Sequence, residues 1–463
     1  MLIAGYTTYD YDAYFNIRQI EQIQEGNFFH DDLSYGGRNL VYMPFFHIII
    51  AALSNFLPQN LLIAIIPNLF ASLIVFVIYF LAKNLTQNEN AALFSAFIAG
   101  FVPIFFYETL TSVSPFSLFV PLLFLQIYYF LNLSKSNIIF FGINSFILPL
   151  IHPAAIILVI SFIIYAILCR IEGFQFDRKR TELGLFYTLI TIFVLFIFFK
   201  DAFKVHGFNV IYRNLPSEMV SNFFQTISIG DAIAGMGIVS LLIGIFICYW
   251  SVFKDTKQNY YFLLSLALAT GFLLWFKLIS LNLGLSIIGI LFVVYFAIFY
   301  KLFFDFISQT KLAHYKLMIF FILLVFFVLS SLIPAFAFNQ ERASEVEVGA
   351  MNWIFFNTPE NSTILAPLKY GHIVNSQAMR KNVIDSNFVL VNSADERFNN
   401  VNEFYSTSSS VDAAKILDKY DVDYIFAEND LKFEILGCLK LVYNNDVKIY
   451  ESNCVVESRR FYE

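Results

Sequence analysis

Charge is what this chain has least of. Only 14% of its 463 residues are Asp, Glu, Lys or Arg, against 58% apolar, and the mean hydropathy is +0.67. Soluble domains carry about 25% charged residues, so an ordinary soluble domain is excluded. A net charge of −6 with no basic stripe gives no footprint for nucleic acid. Met1–Tyr6 is too short for the apolar core of a secretory leader. Internal repeats and low-complexity linkers are absent too. Cysteine is scarce, with four in all, so no dense disulfide framework supports the fold.

What the chain has is aromatic and aliphatic bulk, with 58 Phe and 26 Tyr. Apolar runs long enough for a hydrocarbon core of ~30 Å recur from residue 60 to residue 338. The expected spans, about ten, are 61–83, 90–107, 116–133, 137–151, 154–169, 184–200, 233–252, 260–277, 282–304 and 316–338. Those within 137–169 are short, with His152-Pro153 as the turn between them. Lys83, Lys135, Arg170, Arg178-Lys179-Arg180, Lys254, Lys257, Lys301, Lys311 and Lys316 all fall on one face of this arrangement, which marks it as cytoplasmic. The other face receives residues 1–40, the 108–115 turn, the 201–232 loop and the C-terminal region. For parity, Val41–Leu57 is read as a helix lying in the outer interface rather than crossing.

Three regions follow: residues 1–60 as a first extracytoplasmic loop with an interfacial helix, 61–338 as a transmembrane bundle, and 339–463 as a soluble α/β domain. In the last, Val346–Phe356 and Val411–Asp418 read as helices, Ser362–Ala366 and Val422–Ala427 as strands, and Leu439–Tyr443 with Val447–Tyr450 as a hairpin. Cys438 and Cys454 flank that hairpin on the outer side, where a disulfide between them would persist. Cys169 and Cys248 sit in apolar spans and read as inert core residues.

Chemistry concentrates in the polar opening: Asp10-Tyr11-Asp12-Ala13-Tyr14-Phe15-Asn16-Ile17-Arg18, then Asp31-Asp32-Leu33-Ser34-Tyr35-Gly36-Gly37-Arg38, then Met43-Pro44-Phe45-Phe46-His47. A carboxylate at the mouth of a membrane bundle can serve as general base or metal ligand. Asp10 and Asp12 also suit plain helix capping. Gly36-Gly37 allows a tight turn that would present Arg38 to a phosphate oxygen or simply to water. In the 201–232 loop, Arg213 could face a lipid phosphate and Glu218 is a loop acid.

This opening resembles the first extracytoplasmic loop of the GT-C glycosyltransferases, in particular the oligosaccharyltransferase catalytic subunit and its archaeal and bacterial relatives. The resemblance implies a GT-C-like polytopic helical bundle, whose first helix is missing here because the loop follows Gly5 directly, as in a late start or a fragment. It implies Asp12 as the catalytic carboxylate, with Asp10, Tyr14, Arg18, Asp31, Asp32, Arg38, Arg213, Glu218 and Tyr370 around the substrate. Two family motifs depart. Pro115-Phe116-Ser117 stands where the second acidic motif belongs, with Glu108 the nearest acid, about two turns early. Pro367-Leu368-Lys369-Tyr370-Gly371-His372 stands where Trp-Trp-Asp-Tyr-Gly belongs, and only Tyr370-Gly371 remains, with Arg380 and Asp385 following.

The function implied is transfer of a sugar or oligosaccharide from a polyprenyl-phosphate-linked donor to an acceptor at the outer face. No metal ligand and no cofactor is assigned; a divalent cation stays open, and metal-independent chemistry like that of protein O-mannosyltransferases or aminoarabinose transferases fits the lost acids better. The partners are the lipid-linked donor and membrane lipid, with the acceptor unidentified. A non-catalytic GT-C relative that binds a lipid-linked glycan or a membrane partner is the alternative. A transporter is a third class, but it calls for ionisable residues at mid-span, and the spans carry almost none apart from His152.

Overall fold

The computed structural model describes residues 9–110, 112–175, 177–254, 257–337, 342–433 and 437–454. The expectation about the chain's start falls on Met1–Thr8, outside that set. The polar opening forms α1 (Tyr11–Gln24), capped by Asp10, whose carboxylate accepts the Ala13 N–H at 3.2 Å. A short ribbon of β1 (His30–Asp31) and β2 (Arg38–Asn39) turns through Gly36 and Gly37 at φ 77° and 113°. Then comes α2 (Phe45–Leu53), roughly 14 Å long at ~1.5 Å per residue and so too short to cross a bilayer core. His47 on α2 and Asn16 on α1 share a buried hydrogen bond of 2.8 Å that ties the two helices together.

Each of the ten expected spans carries helix. They are α3 (Gln59–Thr86), α4 (Glu89–Ala99) with α5 (Pro103–Leu110), α6 (Phe116–Leu131), α7 (Lys135–Ile151), α8 (Ile156–Ile171) and α9 (Arg178–His206). A turn, α10 (Ser217–Ser221), precedes α11 (Ile229–Met236) with α12 (Ile238–Phe253), α13 (Gln258–Trp275), α14 (Leu281–Ser308) and α15 (Lys316–Phe327) with α16 (Ile333–Ala337). Among the described residues five helices are long and apolar enough to cross a membrane, or seven if each bent pair is one span. The other three, α6, α7 and α13, have 16, 17 and 18 residues. The α4–α5 pair bends by 53° just ahead of Pro103, whose ring cannot continue a hydrogen-bonded helix. The α11–α12 pair bends by 79° at Gly237, where φ is 83°. Of the five long spans the most buried is α14, with Ile287, Ile290, Val294 and Phe296 all inside the core.

The C-terminal region opens with α17 (Glu345–Asn357), started by a reciprocal capping box between Ser344 and Glu347. Its sheet runs β4-β3-β5-β7-β6, from β3 (Thr363–Leu365), β4 (Lys381–Asn382), β5 (Tyr424–Ala427), β6 (Leu439–Asn445) and β7 (Val447–Ser452). β3 pairs parallel with β4 and β5, whereas β7 runs antiparallel to β5 and β6. The expected hairpin is present, turning tightly at Asp446 with φ 47°. Cys438 and Cys454 are disulfide-bonded with Cα atoms 5.0 Å apart, as expected. A single turn, α18 (Gly371–Ile373), links β3 to β4. Two further helices, α19 (Ala394–Ser406) and α20 (Ser410–Lys419), put Phe398, Val401, Phe404, Ala413 and Leu417 against Leu365 and Ile425 of the sheet.

Residues 9–40, the 207–228 loop and the α/β domain meet at one end of the bundle. The Ala343 N–H donates to the Tyr9 carbonyl at 3.1 Å, and that of Asn382 to the Leu33 carbonyl at 3.0 Å. Asn214 donates to the Phe388 and Val391 carbonyls at 2.9 Å each, and Ser217 to Asp395 at 2.8 Å.

Candidate active site

The end of the bundle beneath the α/β domain gathers an unusual number of carboxylates for so apolar a chain. Asp10 reaches it as the cap of α1, and its second oxygen accepts the Ser112 hydroxyl at 2.9 Å. Asp12, two residues on and exposed, accepts the Ser386 hydroxyl from the α/β domain at 3.4 Å. Glu108, near the end of α5, accepts the Asn282 amide from the start of α14 and lies within electrostatic range of both aspartates. Burial, then the charge of Asp12, pushes the Asp10 carboxyl up to about 7 against the smaller pull of its hydrogen bonds.

A cation faces this group. After α9 the chain makes a 3-10 turn over Gly207–Tyr212, and Arg213 follows in the left-handed region at φ 56°. Arg213 is half-buried and within electrostatic range of Asp12 and of His152. The His152 ring packs on Phe116 and Phe119 at 5.1 and 5.2 Å, while its Nδ1 accepts the Ala154 N–H at 3.1 Å. From above, His372 hydrogen-bonds Ser386 at 2.9 Å, so a His372–Ser386–Asp12 chain runs from the α/β domain into the site.

The donor set does not make a metal centre. Among the described residues no three His, Cys, Asp or Glu side chains come close enough to hold an ion, and a hard divalent cation needs several oxygen ligands.

The other residues singled out from sequence go elsewhere. Arg18 and Asp31 pair with each other at 3.3 Å, both buried. Arg38 reaches Asp385 at 3.0 Å, where Ser34 donates at 2.6 Å, Asn382 at 3.2 Å and the Asn387 N–H at 2.9 Å. Burial alone would raise the Asp385 carboxyl, but Arg38, His372 and these donors outweigh it and hold it below the usual carboxylate range. Tyr370 is buried and donates to Glu347, which also accepts Tyr11 at 2.9 Å. Tyr14 is buried in the α1 core, Asp32 is exposed beside His30, and Glu218 is exposed on α10. The structure therefore brings together Asp10, Asp12 and Arg213 from that set, and adds Glu108, Asn282, Ser386 and His372.

Gly371 explains why the Tyr370-Gly371 pair matters. A Cβ there would sit 2.1 Å from the Ile384 carbonyl oxygen, so only glycine lets the Ile384–Asp385 backbone pack this close.

A family profile described as "Predicted membrane protein (DUF2079)" matches residues 5–330. No curated protein sequence matches the chain. In fold it is similar to the Archaeoglobus fulgidus oligosaccharyltransferase tethered with an acceptor peptide containing the NVT sequon, with TM-score 0.71, 15% identity, and 92% of this chain and 66% of that one covered. The apo form of the same protein gives TM-score 0.69 at 14% identity, covering 92% and 67%. The Archaeoglobus fulgidus oligosaccharyltransferase in complex with an inhibitory peptide and a dolichol-phosphate gives 0.67 at 14%, covering 91% and 66%. This chain thus shares the fold of these structures and spans about two thirds of their length.

Proposed function

This chain belongs to the family of predicted membrane proteins DUF2079, and we propose that it is a membrane glycosyltransferase acting on a polyprenyl-phosphate-linked sugar or oligosaccharide at the outer face. The observation that carries this reading is the placing of Asp12, held by Ser386 of the α/β domain, within electrostatic range of Arg213 at the end of the bundle. Asp12 takes the proton of the acceptor's nucleophilic O–H or N–H as that atom attacks the anomeric carbon. The bond between anomeric carbon and phosphate oxygen breaks in the same displacement, which inverts the centre, and its electron pair leaves on the phosphate. In this reading the Arg213 guanidinium offsets that growing negative charge. The step as written uses the chain's own residues alone and assigns no role to a metal.

The fold likeness supports the reaction class, and the basic residues of the opposite pole support an extracytoplasmic site. Sugar and acceptor stay general. The experiment is transfer of a labelled glycan from a polyprenyl-phosphate-linked pool to an endogenous acceptor in proteoliposomes, with and without EDTA. Transfer that survives chelation supports the reading. No transfer from any such pool, with the lipid-linked glycan nevertheless bound, moves the chain to the class of non-catalytic binding relatives.

A further inference from the structure

We propose a binding site for an anionic membrane phospholipid at the other pole of the bundle, in the cleft between α8 and α9 roofed by α13. The cleft is a cavity of about 210 Å³ walled by Phe130, Phe162, Tyr165, Ala166 and Leu185, with Arg180 at one end. It opens sideways, because Ile163 and Leu185, which line it, are more than half exposed on the bundle's outer wall. A void so apolar offers water too few hydrogen-bond partners to be filled by it. An acyl chain from the surrounding bilayer supplies the missing contacts.

Arg180 selects the headgroup. Its Nη1 donates to the Tyr165 hydroxyl and the Gln258 side-chain oxygen at 3.4 Å each, and its Nη2 to the Asn259 side-chain oxygen at 3.1 Å. All three acceptors are neutral, and its Nε is buried without a hydrogen-bond partner. Among the described residues no carboxylate forms an ion pair with Arg180. Arg178 two residues earlier differs, since it pairs with Glu182 at 2.7 Å. Asp177 also lines the cavity, but its carboxylate caps α9 by accepting the Lys179 N–H at 3.1 Å. Arg180 is half-buried, but its Nε is shut away from water without a partner, which is costly, and a phosphate diester supplies both the charge and the acceptor for Nε.

The cleft is remote from the acid cluster. Arg180 stands at the first turn of α9 and Arg213 beyond its last, some 26 helical positions away and so ~39 Å at ~1.5 Å per residue. It also lies at the pole carrying Arg178, Lys179 and Lys257, where an excess of basic residues attracts acidic lipid.

The test is native mass spectrometry of the purified full chain titrated with phosphatidylglycerol or phosphatidylcholine of matched acyl chains. Wild type is expected to retain one phosphatidylglycerol in preference to phosphatidylcholine, and Arg180→Gln to weaken it about tenfold or more, as for loss of a charged hydrogen bond. Thr188→Phe, which fills the cavity while leaving Arg180 in place, is expected to displace the lipid equally and decides the matter if Arg180→Gln does not fold. Equal retention of both lipids by wild type, undiminished binding in a folded Arg180→Gln, or full competition by inorganic phosphate alone would each overturn the proposal.

Discussion

Two polar regions lie side by side at one end of this molecule, and they spend their charges differently. Where residues 9–40 meet the α/β domain, each buried aspartate has a cation: Asp31 has Arg18 and Asp385 has Arg38. In the neighbouring cluster, Asp10, Asp12 and Glu108 lean on Ser112, Ser386 and Asn282, all neutral, and repel one another. A fold that only needed holding together would not keep three carboxylates within electrostatic range of each other. Paired charges hold the domain in place; in the proposed function the crowded ones serve chemistry.

The comparison breaks most visibly if the paired region turns out to be dispensable. Asp385→Asn leaves Arg38 buried opposite a neutral group, and removing one partner of a buried pair costs about 3–5 kcal/mol. Thermal unfolding in detergent should show that loss, together with easier proteolytic release of the α/β domain. A change below about 1 kcal/mol would make the pair ornamental. Next comes the Cys438–Cys454 crosslink, which closes a loop with a sequence separation of 16. Reduction, or Cys438→Ser, should lower the domain's stability by about 3 kcal/mol, read as a shift in its denaturant midpoint with the bundle unchanged.

Glu108→Gln tests the crowded side. It removes one negative charge near Asp12 while keeping an amide able to bond Asn282, and it should change transfer by about tenfold, or ~1.4 kcal/mol in the barrier. Unchanged rates would leave Glu108 as a packing residue.

Asp10 is read as a slope with pH rather than as a loss at one pH. Its carboxyl is raised from 3.8 to about 7 in the folded chain, so the folded state binds a proton that the unfolded chain has already released. Its contribution to stability is complete below pH ~4 and is lost as pH rises through about 7. Asp10→Asn should flatten that slope in a pH series of unfolding midpoints; a slope that persists in the variant would assign it to another group.

Much of this organisation is legible in the sequence because its causes are local. Apolar run length set the helices, Ser344 with Glu347 started α17, and the Asn-rich turn marked the hairpin that Cys438 and Cys454 close. What escapes is whatever depends on distant parts of the chain. Arg38 reads as a phosphate ligand until Asp385, 347 residues on, is seen to take it. Glu108 stands two turns early by linear alignment, and the 53° bend between α4 and α5 sets its approach to the aspartates. The available signal was a lone acid at the end of an apolar run. Helix α19 escaped as well, since its apolar positions are diluted by Asn and Glu and its first residue follows Ser393 in a left-handed conformation without a capping hydrogen bond.

The central claim, that the crowded carboxylates do chemistry while the paired ones hold the fold, is tested most directly by Asp12→Asn. The measurement is the rate of glycan transfer from the polyprenyl-linked donor per folded molecule, alongside the unfolding midpoint of the same preparation. The account predicts a rate at least ~10²-fold lower with a midpoint close to wild type, because Asp12 is exposed and packs little. A variant that transfers at the full rate, or one whose lost activity is matched by lost folded protein, would contradict it.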